Sequence, residues 1–313
     1  MRIAIVTDYY LPTLGGVQTA IKAHREELVS AGHEVVVFAP LTAPSSDPAI
    51  VRLPTASGFA PDGYPFTWPL RAAAAQLERD LAGFDIVHVH TEMFAALAAY
   101  RAARTLGVPL VQTMHGRIDV YTRSVLPLPA ITTVLLAGLH RRGLGAAPGS
   151  RPLPLDTRAH YTHTRTGRRM WRLMVSQAER AASRIERGRV DVRGAVPQAE
   201  VLDAMRTAHV LVSSSFDFDN QPMVLLEAVA AGLPVIVADP DLSEALPREG
   251  HLVAPRPDAA GLADALAALR DDPARIARMS AAAIAHRPQV AQSAHREALL
   301  RVYRAAVAAR AAR

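Results

Sequence analysis

The sequence predicts an α/β protein built from two doubly wound parallel-sheet domains, and three observations carry that expectation. Short runs rich in Ile and Val alternate with longer stretches in which apolar residues recur every three or four positions, the pattern of buried strands followed by crossover helices. The alternation breaks once, between Gly143 and Leu155, in a segment rich in Gly, Pro and Arg that reads as a linker or exposed loop. The 313 residues are enough for roughly two domains, each burying its own core.

The first forty residues form a complete β-α-β unit. Arg2–Thr7 is a buried-strand run, Asp8–Gly16 a turn, and Val17–Ala31 a helix with Val17, Ile21 and Leu28 on one face. Gly32 stops that helix, and Glu34–Ala39 is the next strand. A helix over Pro69–Ala82, a strand over Ile86–Val89, a helix over Met93–Leu106 and a strand over Leu110–Thr113 complete a Rossmann-like domain, residues 1–142. A connecting segment, residues 143–189, carries a helix over Thr166–Ile185. The second series, residues 190–289, has strands at Val190–Val192, Val210–Ser213 and Val235–Ala238. Its helices are Gln198–Thr207, Met223–Ala231, Ala259–Arg270 and Pro273–Ala285, and a long Ala- and Arg-rich helix over residues 290–313 follows.

Composition removes several function classes. Hydrophobic residues at 50% and charged residues at 20% exclude a disordered or fibrous chain. With no Cys there are no disulfides, zinc ribbons, iron–sulfur clusters or thiol catalysis, which fits a reducing cytosol and a cytoplasmic location. The apolar start Ile3–Val6 meets Asp8 and is too short for a signal peptide. The longest apolar run, Val125 to Leu139, holds Pro127 and Pro129 and is too short to span a bilayer. Contact with a membrane surface at its inner face stays open. The net charge of +6 is local: 13 Arg and four acids lie between Arg141 and Arg193. Basicity so confined, with little aromatic interleaving, argues against nucleic acid as a partner.

Three stretches carry chemistry. Gly15-Gly16-Val17 follows the first strand and opens the first helix, where glycines let the backbone approach a phosphate and the helix N-terminus offers free N–H groups; a tight turn is the plainer alternative. Gln112-Thr113-Met114-His115-Gly116-Arg117 ends a strand, at the edge where open α/β sheets bind ligands. The richest stretch runs from Ser213 to Ala228. Asp219 and Asn220 read as loop and cap positions, Pro222 as the helix start, and Glu227 as an acid one turn inside, among Val224, Leu225, Leu226 and Ala228. An acid in that setting needs a partner unless it is simply exposed.

Asp219 to Glu227 resembles the E-x7-E signature of family-4-type retaining glycosyltransferases of the GT-B fold, with Asp in place of the first Glu. The continuation Ala228-Val229-Ala230-Ala231-Gly232-Leu233-Pro234-Val235-Ile236 is similar to that family's, and Gly15-Gly16-Val17-Gln18, His88-Val89-His90 and His115-Gly116 fall in its order. The resemblance covers nearly the whole chain. It implies two Rossmann-like domains and transfer of a hexose from a nucleotide diphosphate sugar to a lipid or glycan acceptor, with retention, no metal and no cofactor. It implies that Glu227 binds the ribose, that Asp219 with Asn220, Gln221, Pro222 and Met223 holds the donor sugar, and that Gly15 and Gly16 lie against the diphosphate and acceptor. His115 would contact the sugar near the reacting carbon, so His115 and Asp219 are the catalytic candidates.

The chain departs from the family at one place. The family's second domain opens with strands carrying an Arg and a Lys that grip the diphosphate. Here Ile185-Glu186-Arg187-Gly188 runs almost directly into Val190-Asp191-Val192, and the chain's one Lys, Lys22, lies on the first helix. About two βα units are missing, so the second domain is expected to be reduced, with apolar faces and sheet edges exposed. An internal deletion, a shortened natural form, and replacement by Arg165, Arg168, Arg169 and Arg172 as phosphate ligands stand as alternatives. The same four Arg also fit a solvated helix face. A catalytically impaired remnant and a GT-B nucleotide-sugar epimerase are the rival functions.

Overall fold

The computed structural model describes residues 1–11, 16–41, 43–55, 65–91, 93–113, 115, 196–216, 219 and 221–312. The linker at 143–155, the helix expected at 166–185 and the strand expected at 190–192 lie outside them. The chain divides into two compact units. Met1–His115 with Pro288–Arg313 belongs to the first, and the described residues from 196 to Arg287 belong to the second.

The first unit is a five-stranded parallel sheet in the order β3-β2-β1-β4-β5, formed by β1 (Arg2–Val6), β2 (Glu34–Ala39), β3 (Ile50–Arg52), β4 (Ile86–Val89) and β5 (Leu110–Gln112). Its period of two divides the core. Ala4, Val6, Phe38, Val87 and Val89 pack on one face with Ala73, Ala74 and Leu77 of α2 (Leu70–Asp80) and the Ala-rich α3 (Phe94–Leu106). Ile3, Ile5, Val35, Val37 and Ile86 pack on the other with Ile21 and Leu28 of α1 (Gly16–Ser30). That second face is completed from far along the chain, by Leu299, Leu300 and Tyr303 of the last helix. Strands buried on both faces explain why the sequence shows continuous apolar runs.

The second unit holds a three-stranded parallel sheet among the described residues, ordered β6 (Leu211–Ser213), β7 (Val235–Val237), β8 (His251–Val253). Helices α4 (Gln198–Thr207) and α5 (Met223–Ala231) flank β6 in sequence, a 3-10 turn covers Pro240–Ala245, and α6 (Ala259–Asp271) and α7 (Pro273–Val290) follow; α8 spans Gln292–Ala311. Ile236 packs with Ala265, Leu269 and Met279. Among the described residues the flanking strands are less covered than β7: Val212 is 38% exposed and Val253 41%. Gly232 ends α5 at φ 79°, and a Cβ there would meet Ile284 Cγ1 at 2.8 Å.

One sequence expectation needs correction. The helix expected to stop at Ala285 continues to Val290 with Pro288 in its last turn, where the proline gives up one backbone hydrogen bond and the helix ends two residues later. The chain passes from the second unit to the first at that same proline. Strands β3 and β8 carry no sequence expectation: each pairs only two apolar residues with a charged or polar one, Arg52 or His251.

Candidate active site

In the first unit β1 is central, with β2 and β4 on its two sides, so the strand order reverses between β1 and β4. Ligands of open α/β sheets gather beyond the strand ends at such a point. Asp8, just past β1, is buried there and accepts hydrogen bonds from Thr67 Oγ1 (2.8 Å), Thr91 Oγ1 (2.9 Å) and the Ala95 N–H (2.9 Å). It thereby caps the first turn of α3. Burial pushes its carboxyl above the ordinary value, against those hydrogen bonds.

The alternation along β4 puts His88 on the α1/α8 face with Ile86, and His90 follows two residues later; both are fully buried. His88 Nε2 lies 2.7 Å from Thr113 Oγ1, and its Nδ1 lies 2.6 Å from the Tyr303 hydroxyl of α8. His90 Nε2 is 3.1 Å from His88 Nδ1, and His90 Nδ1 is 2.7 Å from His115 Nε2. His24 of α1 sits beside His90, ring centroids 5.3 Å apart, and stacks at 4.3 Å on His295 of α8. Five histidines from four parts of the chain thus meet at one end of the sheet. Burial first, then neighbouring histidines, holds His24 down to about 3 and His88 and His90 well below the ordinary range; burial lowers the half-buried His115 as well. The imidazoles are therefore neutral at pH 7 and bond to one another. Among the described residues, no three His, Asp or Glu side chains converge as metal ligands.

Gly16 opens α1 and is exposed, and among the described residues nothing lies within 4 Å of where its Cβ would be. Packing among the described residues does not demand glycine there.

In the second unit, Asp219 is half-buried, Gln221 is exposed, and Pro222 and Met223 begin α5. The helix spans Met223–Ala231 as expected, with Pro222 at its N-cap and no side-chain cap. Glu227 is half-buried, not enclosed by its apolar neighbours, and accepts a hydrogen bond from Gln198 Nε2 of α4 at 3.0 Å. The expected need for a partner is met within the protein. Gly15, Asn220, Arg165, Arg168, Arg169 and Arg172 lie outside the described residues. Asp8, His24, His295, Tyr303 and Gln198 were not singled out from the sequence.

Residues 14–148 match the profile of Glycosyltransferase Family 4, and residues 166–272 match that of Glycosyl transferases group 1. The chain is 29% identical over 145 residues to alpha-monoglucosyldiacylglycerol synthase of Streptococcus pneumoniae, covering 44% of this chain and 33% of that protein. The chain thus spans about a third of the length of the first curated relatives it matches. It is 25% identical to phosphatidyl-myo-inositol mannosyltransferase of Mycobacterium leprae, over 92% of both chains and 355 aligned positions. With 92% of 313 residues aligned over 355 positions, on the order of 70 positions of that alignment lie opposite gaps in this chain. Among solved structures, sucrose-phosphate synthase from Thermosynechococcus elongatus matches with a TM-score of 0.69 at 16% identity, covering 98% of this chain and 99% of the other.

Proposed function

Since this chain belongs to the family-4-type glycosyltransferases of the GT-B fold, we propose that it transfers a hexose from a nucleotide diphosphate sugar to a lipid or glycan acceptor, with retention and without a metal or cofactor. The observation that carries this reading is the similarity to a lipid mannosyltransferase over 92% of both chains. In this reading Glu227 binds the ribose hydroxyls. Asp219 with Asn220, Gln221, Pro222 and Met223 holds the donor sugar, and His115 meets it near the reacting carbon. Gly15 and Gly16 lie against the diphosphate and acceptor. Because no metal neutralises the leaving diphosphate, its developing charge falls to preorganised N–H groups and guanidiniums; Arg165, Arg168, Arg169 and Arg172 are the cations proposed for it. The protein works in the cytoplasm, at the inner membrane face when the acceptor is a lipid. Among the described residues no helix is long and apolar enough to cross a membrane.

Thermal-shift titration with GDP, UDP and ADP and their hexose conjugates tests this directly. Stabilisation by one nucleotide series and its sugar is expected. No shift with any of them would overturn it. The unmatched positions of the mycobacterial relative favour a second reading, an impaired enzyme that keeps donor binding and loses most turnover.

A further inference from the structure

We propose that His90 is a positioning residue that fixes the ring orientation and tautomer of His115, and that Tyr303 of α8 sets this arrangement through His88. The inference rests on the role given to His115 above. The bond between His90 Nδ1 and His115 Nε2 is 2.7 Å long, so one nitrogen carries the proton and the other the lone pair. His115 therefore cannot choose its tautomer independently of His90.

The direction of the chain follows from proton placement. Tyr303 is fully buried, and its hydroxyl lies 2.6 Å from His88 Nδ1. A buried hydroxyl proton without an acceptor is the costlier arrangement, so Tyr303 donates to His88 Nδ1. His88 is then protonated on Nε2 and donates to Thr113 Oγ1 at 2.7 Å. His90 donates from Nε2 to the same His88 Nδ1, at the longer distance of 3.1 Å that a shared lone pair requires. His90 Nδ1 is left as an acceptor and takes the proton of His115 Nε2. The order of donors places the proton of His115 on Nε2 and its lone pair on Nδ1. Every ring must stay neutral for this order to hold. Among the described residues, the charged and titratable groups packed around it are His24 and Glu27 on α1 and His295 and Arg296 on α8, and Glu27 and Arg296 pair with each other at 2.8 Å. Residues 24, 88, 90, 115, 295 and 303 all belong to the first unit, so the last helix acts on His115 from within that unit.

The test uses the full chain with 15N-labelled histidine. The His115 ring signals are assigned by their loss in His115→Asn, and their shifts report which nitrogen is protonated. The expected result is a proton on Nε2 in the parent protein and a mixture of tautomers in Tyr303→Phe, which keeps the buried ring and removes only the hydroxyl. His90→Phe should lower kcat about tenfold or more with KM for the donor unchanged, the scale seen when a partner orienting a functional histidine is removed. His90→Asn, whose amide oxygen can accept at the same place, should restore most of it. A His115 tautomer identical in parent, Tyr303→Phe and His90→Phe would overturn the proposal, as would equal kcat loss in His90→Phe and His90→Asn. The tautomer needs no donor, so a chain that binds no nucleotide sugar defeats the proposed function while this measurement still decides the positioning role. If His90→Phe does not fold, Tyr303→Phe alone decides.

Discussion

Glu227 and Gln198 meet at the surface of the second unit, so replacing Glu227 with Ala frees an amide into water and leaves the fold intact. The loss should fall on the ligand. A hydrogen bond to a charged group contributes about 1.5–3 kcal/mol, so donor affinity should drop by at least about tenfold while the melting temperature stays put. Identical titration curves for parent and Glu227→Ala with every nucleotide sugar would remove the ribose role. His115→Ala separates chemistry from structure differently: steady-state kinetics should show a fall in kcat larger than the change in donor KM. A purely structural histidine would instead lower the melting temperature and leave activity per folded molecule unchanged. The two residues differ in how far the sequence exposed their surroundings. His115 and the His88-Val89-His90 pair stand at strand ends that periodicity locates. His24, His295 and Tyr303 join them only in three dimensions, with 215 positions between His88 and Tyr303, and no local pattern marks such a convergence.

At the scale of elements, Asp8 links three pieces of the first unit. Its carboxylate takes hydrogen bonds from Thr67 and Thr91 and caps α3 through the Ala95 N–H. Asp8→Ala would leave two buried hydroxyls and one helix-end donor without an acceptor, a cost of at least about 2 kcal/mol in chemical denaturation. Asp8→Asn keeps an oxygen for Ala95 and should cost clearly less; equal losses would mean that the charge, not the capping geometry, stabilises α3. This tie is hidden in a sequence where Asp8 reads only as a turn residue. The elements themselves were far more legible. Strands such as Glu34–Ala39 and Ile86–Val89 emerged at their full length because burial on both faces makes them unbroken apolar runs. Helices ending at Gly107 or Gly232 carry their stop signal in the residue that takes positive φ. The strands Ile50–Arg52 and His251–Val253, and a helix that continues through Pro288, carry no such mark.

At the scale of the whole molecule, the first unit is histidine-rich and the family resemblance implies a shortened second domain, and each has a measurable consequence. His24, His88 and His90 are neutral in the fold but titrate near 6.5 once unfolded, so below that pH the unfolded chain binds protons the folded chain refuses. Stability should be level above about pH 7.5 and fall below 6.5, by up to about 1.4 kcal/mol per pH unit for each ring. Asp8, with its raised carboxyl, acts in the opposite sense nearer pH 4. Denaturant midpoints that do not move between pH 7.5 and 5.5 would refute the neutral cluster. The shortened unit bears on turnover. The family resemblance assigns an Arg and a Lys to the departing diphosphate, and it implies that the stretch carrying them is missing here. The one Lys, Lys22, is exposed on α1, 3.8 Å from Glu26. Removing a single preorganised donor lowers kcat by about 10²–10³, and ordinary enzymes turn over at about 1–10³ s⁻¹. Transfer far below about 1 s⁻¹ is therefore expected even where the donor binds. A rate in the ordinary range would contradict this, and the double variant Arg168→Ala, Arg169→Ala then locates the compensation. Loss of that activity assigns the diphosphate to the Arg-rich segment. Its persistence assigns the diphosphate to backbone N–H groups at the start of α1.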